Sequence, residues 1–181
     1  MSAIDKVVNE TVSTFHKVID AVTPGDSDEN KDAIELLKQD HDEVDALFKE
    51  YERLAENGGS SSERRELSTR ICGLIAVHAM IEEEIFYPAA RRAGVDADLL
   101  DEATIEHGSA KDLIAQIGAA QASKPLYDAR VKVLGEYIRH HVKEEEGELF
   151  PACRKAGMNV DKLGERLRQR KAELMAKLNG E

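Results

Sequence analysis

Two stretches of this chain repeat the same spacing of one histidine and one glutamate, and both residue types bind metal ions. The first stretch, HAMIEEEIFYP, begins at His78 and has Glu82 four residues later. The second, HVKEEEGELFP, begins at His141, 63 residues further on, and has Glu145 at the same distance. Residues four apart lie on one face of an α-helix. Each stretch can therefore offer an imidazole and a carboxylate to the same ion.

One further histidine precedes each stretch and itself follows an acidic residue: His41 after Asp40, and His107 after Glu106. The two halves together supply four imidazoles and two carboxylates, which is a ligand set for a pair of metal ions. The set contains no thiolate, so it does not favour closed structural zinc sites or soft metals. Iron, manganese and zinc fit it, and iron is the ion whose chemistry would use the remaining coordination positions.

The alternative to a metal site is a set of ordinary core histidines. A single histidine on an apolar helix face is usually a core residue with a hydrogen-bond partner, and one HxxxE pair is weak evidence in a chain rich in acids. Four such histidines, one on each predicted helix, are different. Two carboxylates buried beside them would cost several kcal/mol each without a compensating charge. The full set therefore favours a dinuclear metal site.

The elements that must position these residues are predicted to be helices. The chain has 181 residues, of which 34% are charged and 4% aromatic, with four prolines and no tryptophan. Such a composition favours helix. Four long helices are predicted at about residues 28–56, 63–92, 96–122 and 125–156. Each places one histidine where a leucine or isoleucine would normally face the core.

Short connections between these helices imply antiparallel neighbours. The predicted fold is all-α, an antiparallel up-down-up-down four-helix bundle with additional helical segments at both termini. The predicted divisions are a helical extension over residues 1–25, the bundle with its dinuclear site over 26–157, and a helical tail over 158–181. We expect a monomer or a weak homodimer.

The net charge of −11 argues against a nucleic-acid partner, because nucleic-acid surfaces are basic. No apolar run approaches the roughly 18 residues of a membrane span, and the N-terminus lacks a signal-peptide core. Cys72 and Cys153 are too few for a disulfide scaffold and are expected to be free thiols. These features predict a cytoplasmic protein.

The ligand pattern resembles the hemerythrin family, specifically its HHE cation-binding branch. The resemblance covers about residues 33–157. It implies two non-haem iron ions per chain that meet oxygen or a related small oxidant. It also implies that Glu82 and Glu145 bridge the irons together with an oxo or hydroxo group, and that the terminal ligands are His41, His78, His107 and His141.

The chain departs from the oxygen-carrying hemerythrins, which are similar but have a fifth histidine on the third helix. Lys111 stands at that position here, four residues after His107. The departure counts against simple reversible oxygen carriage.

Several neighbours of the expected ligands could tune the site. Tyr137 lies one turn before His141 and is either a phenol that serves the irons or a packed core residue. Three acids, Asp40, Glu106 and Glu144, are candidate acceptors for imidazole N–H groups. His140 is expected to face outward. The remaining acids of the two stretches, Glu83, Glu84, Glu146 and Glu148, are expected to form a solvated face.

The function predicted from these residues is binding or turnover of O2, hydrogen peroxide or nitric oxide at a di-iron centre. A peroxidase- or catalase-like activity, or handling of nitric oxide, would fit, with an electron donor that the sequence does not identify. The alternative is a non-catalytic iron, oxygen or redox sensor, or an iron buffer. It would act because bound metal stabilises the bundle.

Overall fold

A computed structural model describes residues 31–178, and these residues form helices joined by short turns. The helices are α1 (Ala33–Glu56), α2 (Ser61–Ile81), α3 (Tyr87–Arg92), α4 (Ala97–Ala119), α5 (Tyr127–Glu144), α6 (Phe150–Lys155) and α7 (Val160–Leu178). Two π turns, Glu82–Phe86 and Glu145–Leu149, join α2 to α3 and α5 to α6 without a break. Residues 31–178 contain no strand, and the predicted all-α helical bundle is confirmed. The predicted extension over residues 1–25 lies outside the described residues.

The first helix of the bundle begins later than predicted, at Ala33 instead of near residue 28. Asp32 determines this start, because its carboxylate accepts two backbone N–H groups of the first turn at 2.8 and 3.0 Å. Glu35 completes a capping box by accepting the N–H of Asp32 at 3.0 Å. Ser60 and Glu63 form the same box at the start of α2. Local side chains thus fix where both helices begin.

The Ala-Gly pairs that follow the two repeated stretches end their helices in the same way. Gly94 has a φ of 81° and Gly157 a φ of 72°, a left-handed conformation that glycine adopts without strain. The backbone N–H after each glycine returns to a carbonyl in the last turn, at 3.1 Å in the first copy and 3.3 Å in the second. The sequence repeat is therefore a repeat of structure.

The core lies where α1, α2, α4 and α5 meet, and the helix faces predicted to be apolar are buried there. The C-terminal helix α7 packs on α1, on α2 and on the first π turn, and it buries Leu163, Leu167, Leu174 and Leu178. No helix within residues 31–178 is long and apolar enough to cross a membrane.

Gly164 brings α7 against the start of α1. A Cβ atom at this position would lie 2.8 Å from the backbone carbonyl oxygen of Lys31. Backbone cannot move aside as a flexible side chain can, so only glycine permits this approach.

We expect Gly164→Ala to lower the free energy of unfolding by about 1–3 kcal/mol, the usual cost of overpacking a close contact. The measurement is urea unfolding followed by circular dichroism. Gly108→Ala is the matched control, because Gly108 is also helical and a Cβ there would meet nothing within 4 Å. It should raise stability by roughly 0.5–1 kcal/mol. Equal effects of the two changes would contradict the close approach of α7.

Candidate metal site

The four predicted ligand histidines meet at the centre of the bundle as two pairs. Nε2 of His41 lies 3.1 Å from Nε2 of His78, and Nε2 of His107 lies 3.1 Å from Nε2 of His141. Each pair joins one histidine that precedes a repeated stretch to the histidine that begins it. All four residues are buried. The same ring nitrogen of each residue thus faces the interior.

The two predicted glutamates lie between the histidine pairs. Oε2 of Glu82 is 3.1 Å from Nε2 of His78 and 3.4 Å from Nε2 of His107. Oε2 of Glu145 is 3.4 Å from Nε2 of both His41 and His141. Each carboxylate therefore reaches one histidine of each pair, which is the arrangement that a bridging carboxylate requires.

Donor atoms that could hold a metal fall into two buried groups, in each of which all atoms lie within 4.8 Å of one another. The groups are His41 with His78, Glu82 and Glu145, and Glu82 with His107 and His141. Glu82 is 0% exposed, and neither of its carboxylate oxygens accepts a well-aligned hydrogen bond from the described residues. Oε2 of Glu145 is likewise buried without a donor. Buried carboxylate oxygens without donors are costly unless a cation binds them, so these residues fit a metal.

A second set of acids holds the outer nitrogen of each of the four predicted ligand histidines. The Nδ1 contacts are His41 to Glu146 at 2.9 Å, His78 to Asp40 at 3.4 Å, His107 to Glu83 at 2.9 Å and His141 to Glu106 at 2.7 Å. A carboxylate on Nδ1 fixes the ring orientation and, in a neutral imidazole, the tautomer that leaves the lone pair on Nε2. All four imidazoles are thereby oriented as ligands.

These outer carboxylates remain ionised. Burial raises the pKa of Glu83, but hydrogen bonds from His107 and Lys111 outweigh it and lower the pKa below the ordinary value. In the same way, burial opposes but His78 and Lys171 lower the pKa of Asp40. Ionised acceptors make stronger hydrogen bonds than neutral ones, and they increase the basicity of the imidazole.

The expectation of a solvated acidic face is wrong for Glu83 and Glu146, which accept from His107 and His41. Both contacts cross between helices, and the spacing within one helix does not reveal them. Glu144, named from the sequence as a candidate acceptor for an imidazole N–H group, lies beside the exposed His140, with 3.3 Å between Oε1 and Nε2.

The two π turns change which residues face the site. In the first, the backbone N–H of Tyr87 donates to the carbonyl of Glu82, five residues back. In the second, the N–H of Phe150 donates to the carbonyl of Glu145. A π turn widens the helix locally. The residue five positions after each glutamate therefore lies over the site.

Tyr87 is a functional candidate that the helical spacing of the ligands does not predict. Its hydroxyl donates to Oε1 of Glu145 at 2.8 Å and lies 3.3 Å from Nε2 of His107. Burial, then the charges of Glu82 and Glu145, raise the pKa of this phenol well above its ordinary value, so it stays protonated. Its equivalent in the second copy, Phe150, stacks on His41 without a hydroxyl. The Tyr/Phe difference at position ten of the repeat was the available signal.

Tyr137, the tyrosine named from the sequence, is half-buried. Among the hydrogen bonds of the described residues, none joins its hydroxyl to the six predicted ligands. Its role beside the site remains a prediction.

A small cavity opens on the side of the histidines away from the glutamates. It has a volume of about 20 Å³ and is lined by all four histidines and by neither glutamate. The rest of its wall is mostly apolar, including Val44, Ile75, Ile114 and Ile138. A volume of this size holds about one water-sized molecule.

The sequence-family model for the Hemerythrin HHE cation binding domain matches residues 32–153 of this chain, and these residues include all six predicted ligands. The chain belongs to this family. Membership and the buried His/Glu groups together support metal binding by this HHE domain.

Two similar proteins place the HHE domain among known structures and sequences. The crystal structure of a hemerythrin HHE cation-binding domain protein from Mycobacterium kansasii superposes with a TM-score of 0.67 at 23% identity, and the match covers 80% of this chain and 87% of that one. That likeness shows the fold. A DNA nickase from Nostoc sp. (strain PCC 7120) is 29% identical over 148 residues. The match covers 81% of this chain and 41% of the nickase, so the chain spans less than half of that protein's length.

Lys111 has a defined place in this HHE domain. Its Nζ lies 2.6 and 2.7 Å from the two carboxylate oxygens of Glu83, which itself holds His107. The lysine at the position of the fifth hemerythrin histidine thus supports the acid behind a predicted ligand.

We expect Tyr87→Phe to destabilise the metal-free protein by about 1–3 kcal/mol, because Oε1 of Glu145 would lose its donor. The measurement is the free energy of urea unfolding in the presence of a chelator. Tyr137→Phe makes the same chemical change at a half-buried position and should alter stability by less than about 0.5 kcal/mol. Equal losses in the two variants would refute a special role for the Tyr87 hydroxyl.

Proposed function

We propose that this chain is a di-iron HHE protein that binds or turns over a small oxidant such as O2, hydrogen peroxide or nitric oxide. His41, His78, His107 and His141 would be terminal ligands, and Glu82 and Glu145 would bridge. We expect it to act in the cytoplasm, where a reducing environment suits its two buried free cysteines.

The unpartnered carboxylate oxygens of Glu82 and Glu145 support this proposal most strongly. They are buried between four oriented Nε2 lone pairs, and each carboxylate reaches both histidine pairs. Such a ligand set of imidazole and carboxylate suits iron, and two clusters that share Glu82 suit a pair of ions.

The small cavity supports a ligand of few atoms. Two adjacent iron ions, when bound, would supply the two-electron redox chemistry that reduction or dismutation of peroxide requires. The chain's own residues would select the ligand by its size and hold a proton close to the metal site. The small volume beside the histidines excludes large molecules, and its lining is mostly apolar apart from Asp40 and Lys111. The Tyr87 hydroxyl holds a proton within 2.8 Å of Glu145.

Metal analysis tests the proposal directly. We expect two irons per chain after anaerobic loading with ferrous iron, and a near-ultraviolet charge-transfer band after exposure to air. Assays with peroxide, O2 and nitric oxide would then identify the oxidant. Zinc alone, or no metal after loading, would overturn the di-iron proposal.

We expect Glu82→Gln and Glu145→Gln to lower the metal content from two ions to one or fewer, because a neutral amide bridges two cations poorly. Circular dichroism should show that both variants remain helical. Glu136→Gln is the matched control: Glu136 is an exposed acid on α5 that pairs with Lys132, and its loss should leave the metal content unchanged. Full metal content in both bridging variants would contradict the assigned roles.

The sensor alternative has one specific observation in its favour. Asp40 holds Nδ1 of His78 and also pairs with Lys171 on α7, while Arg170 on α7 pairs with Glu84 in the first π turn at 2.7 Å. A change at the metal site could therefore alter the packing of α7. Metal that is inert toward all three oxidants, with α7 protected from proteolysis only in the loaded protein, would favour sensing.

The nickase relative does not lead us to propose nicking for this chain. The chain covers less than half of that protein, and its net charge of −11 opposes a DNA backbone.

A further inference from the structure

The two repeated halves differ at three positions near the ligands: one before, three after and seven after the histidine that begins each stretch. In the second copy these positions form a surface that carries His140, Glu144 and Glu148. The equivalent residues of the first copy, 63 positions earlier, are Val77, Ile81 and Ile85, all buried. The first copy is apolar here because α7 packs on α2 and on the first π turn. The second copy presents an imidazole and carboxylates at the same positions.

The helix that faces this surface shows the same difference. Glu102 on α4 is exposed, and its equivalent on α1, counted from the ligand histidines, is the buried Leu36. Four positions that are apolar on one side of the bundle are thus polar on the other. A solvent-exposed helix surface needs only polar residues, but three of these four polar residues are acids.

A cavity of about 80 Å³ leads from this surface to the candidate metal site. Its lining combines four acids and two predicted metal ligands with three apolar residues: Glu102, Glu106, Glu144, Glu148, His141, Glu145, Leu99, Ala103 and Leu149. His140 lies beside this lining, next to Glu144. Glu145 is 2% exposed, and its Oε2 accepts no hydrogen bond. Within residues 31–178, neither lysine nor arginine lines this cavity. The cavity therefore joins an acidic entrance to a buried carboxylate of which one oxygen, Oε2, has no hydrogen-bond donor.

Glu106 connects the entrance to the interior through its two oxygens. Oε2 accepts from Nδ1 of His141 at 2.7 Å, while Oε1 lies 3.7 Å from Nε2 of His140. Nε2 of His140 lies in turn 3.3 Å from Oε1 of Glu144. The donor atoms of these three residues all lie within 4.8 Å of one another, close enough to surround one cation.

We propose that Glu106, His140 and Glu144 form a loading site, where a hydrated divalent metal ion binds before it passes to His141 and Glu145. The inference rests on the proposed function, since it supplies the ions of that centre. Imidazole and carboxylate donors suit a first-row divalent ion such as Fe²⁺. The acidic wall would raise the local cation concentration and the rate of association. On the other side of the bundle, closed by α7, the equivalents of His140 and Glu144 are the apolar Val77 and Ile81. The equivalent of Glu106, Asp40, is paired there with Lys171 of α7.

The test is the rate of metal uptake. Metal-free protein is mixed anaerobically with Fe²⁺, and the iron still free is read with a ferrous chelator at increasing times. We expect His140→Ala combined with Glu144→Gln to slow uptake by about tenfold or more, within the range of electrostatic steering. The final iron content should equal that of the unchanged protein. High salt should slow the unchanged protein more than the variant, which keeps Glu102, Glu106 and Glu148 but lacks Glu144.

The control is Glu136→Gln, which removes one acid from an exposed position on the same helix, outside the cavity. Uptake by the double variant at the rate of this control would overturn the loading site and leave an ordinary solvated surface. The final iron content of the unchanged protein separates the loading-site proposal from the di-iron proposal. Failure to take up iron at all would refute the di-iron function, whereas normal content with an unchanged variant rate would refute only the loading site.

Discussion

Two carboxylates buried at the centre of the bundle, those of Glu82 and Glu145, are the constraint on which the remaining structure depends. Burying two carboxylates in an apolar core is costly without positive charge close by. The histidines surround them, four outer acids hold the histidines, and lysines such as Lys111 balance the outer acids. The bundle is thus organised around a place for cations, with carboxylates at the centre, histidines around them and acids outside the histidines. Apolar residues such as Phe150 and Val44 pack against the same histidines.

The sequence was sufficient for the parts of this arrangement that follow the period of an α-helix. Residues four apart share a face, so the HxxxE pairs predicted His78 beside Glu82 and His141 beside Glu145, at the observed positions in the core. The helix starts were less predictable, because Asp32 caps α1 within a stretch that contains several other acids and so several candidate caps. Contacts between helices, such as Glu83 with His107, depend on a packing geometry that no single-helix pattern contains.

Tyr87 escaped prediction for a different reason. On a regular helix a residue five positions after Glu82 points about 140° away from it. The π turn removes that offset by shifting the backbone hydrogen bond to the fifth residue, so that Tyr87 returns to the face of the glutamate. Proline follows immediately in both copies and contributes no N–H donor, which suits an interrupted hydrogen-bond ladder. π turns are frequent at functional sites, and the repeated Pro was their sequence trace.

The two halves share their ligand types but not their surroundings, and the differences all distinguish one glutamate from the other. Glu145 accepts a hydrogen bond from Tyr87, whereas the Phe150 equivalent has no hydroxyl to offer Glu82. Glu145 also lines the acidic cavity, whereas Glu82 lies beneath the side that α7 covers. A hydrogen bond withdraws charge from a carboxylate, so Glu145 would be the weaker metal ligand and the more accessible one. Glu82, fully buried and without a hydrogen-bond donor, would be the stronger metal ligand and the more enclosed one. A sequence repeat that is symmetric in its ligands has therefore produced a site with an inner and an outer side.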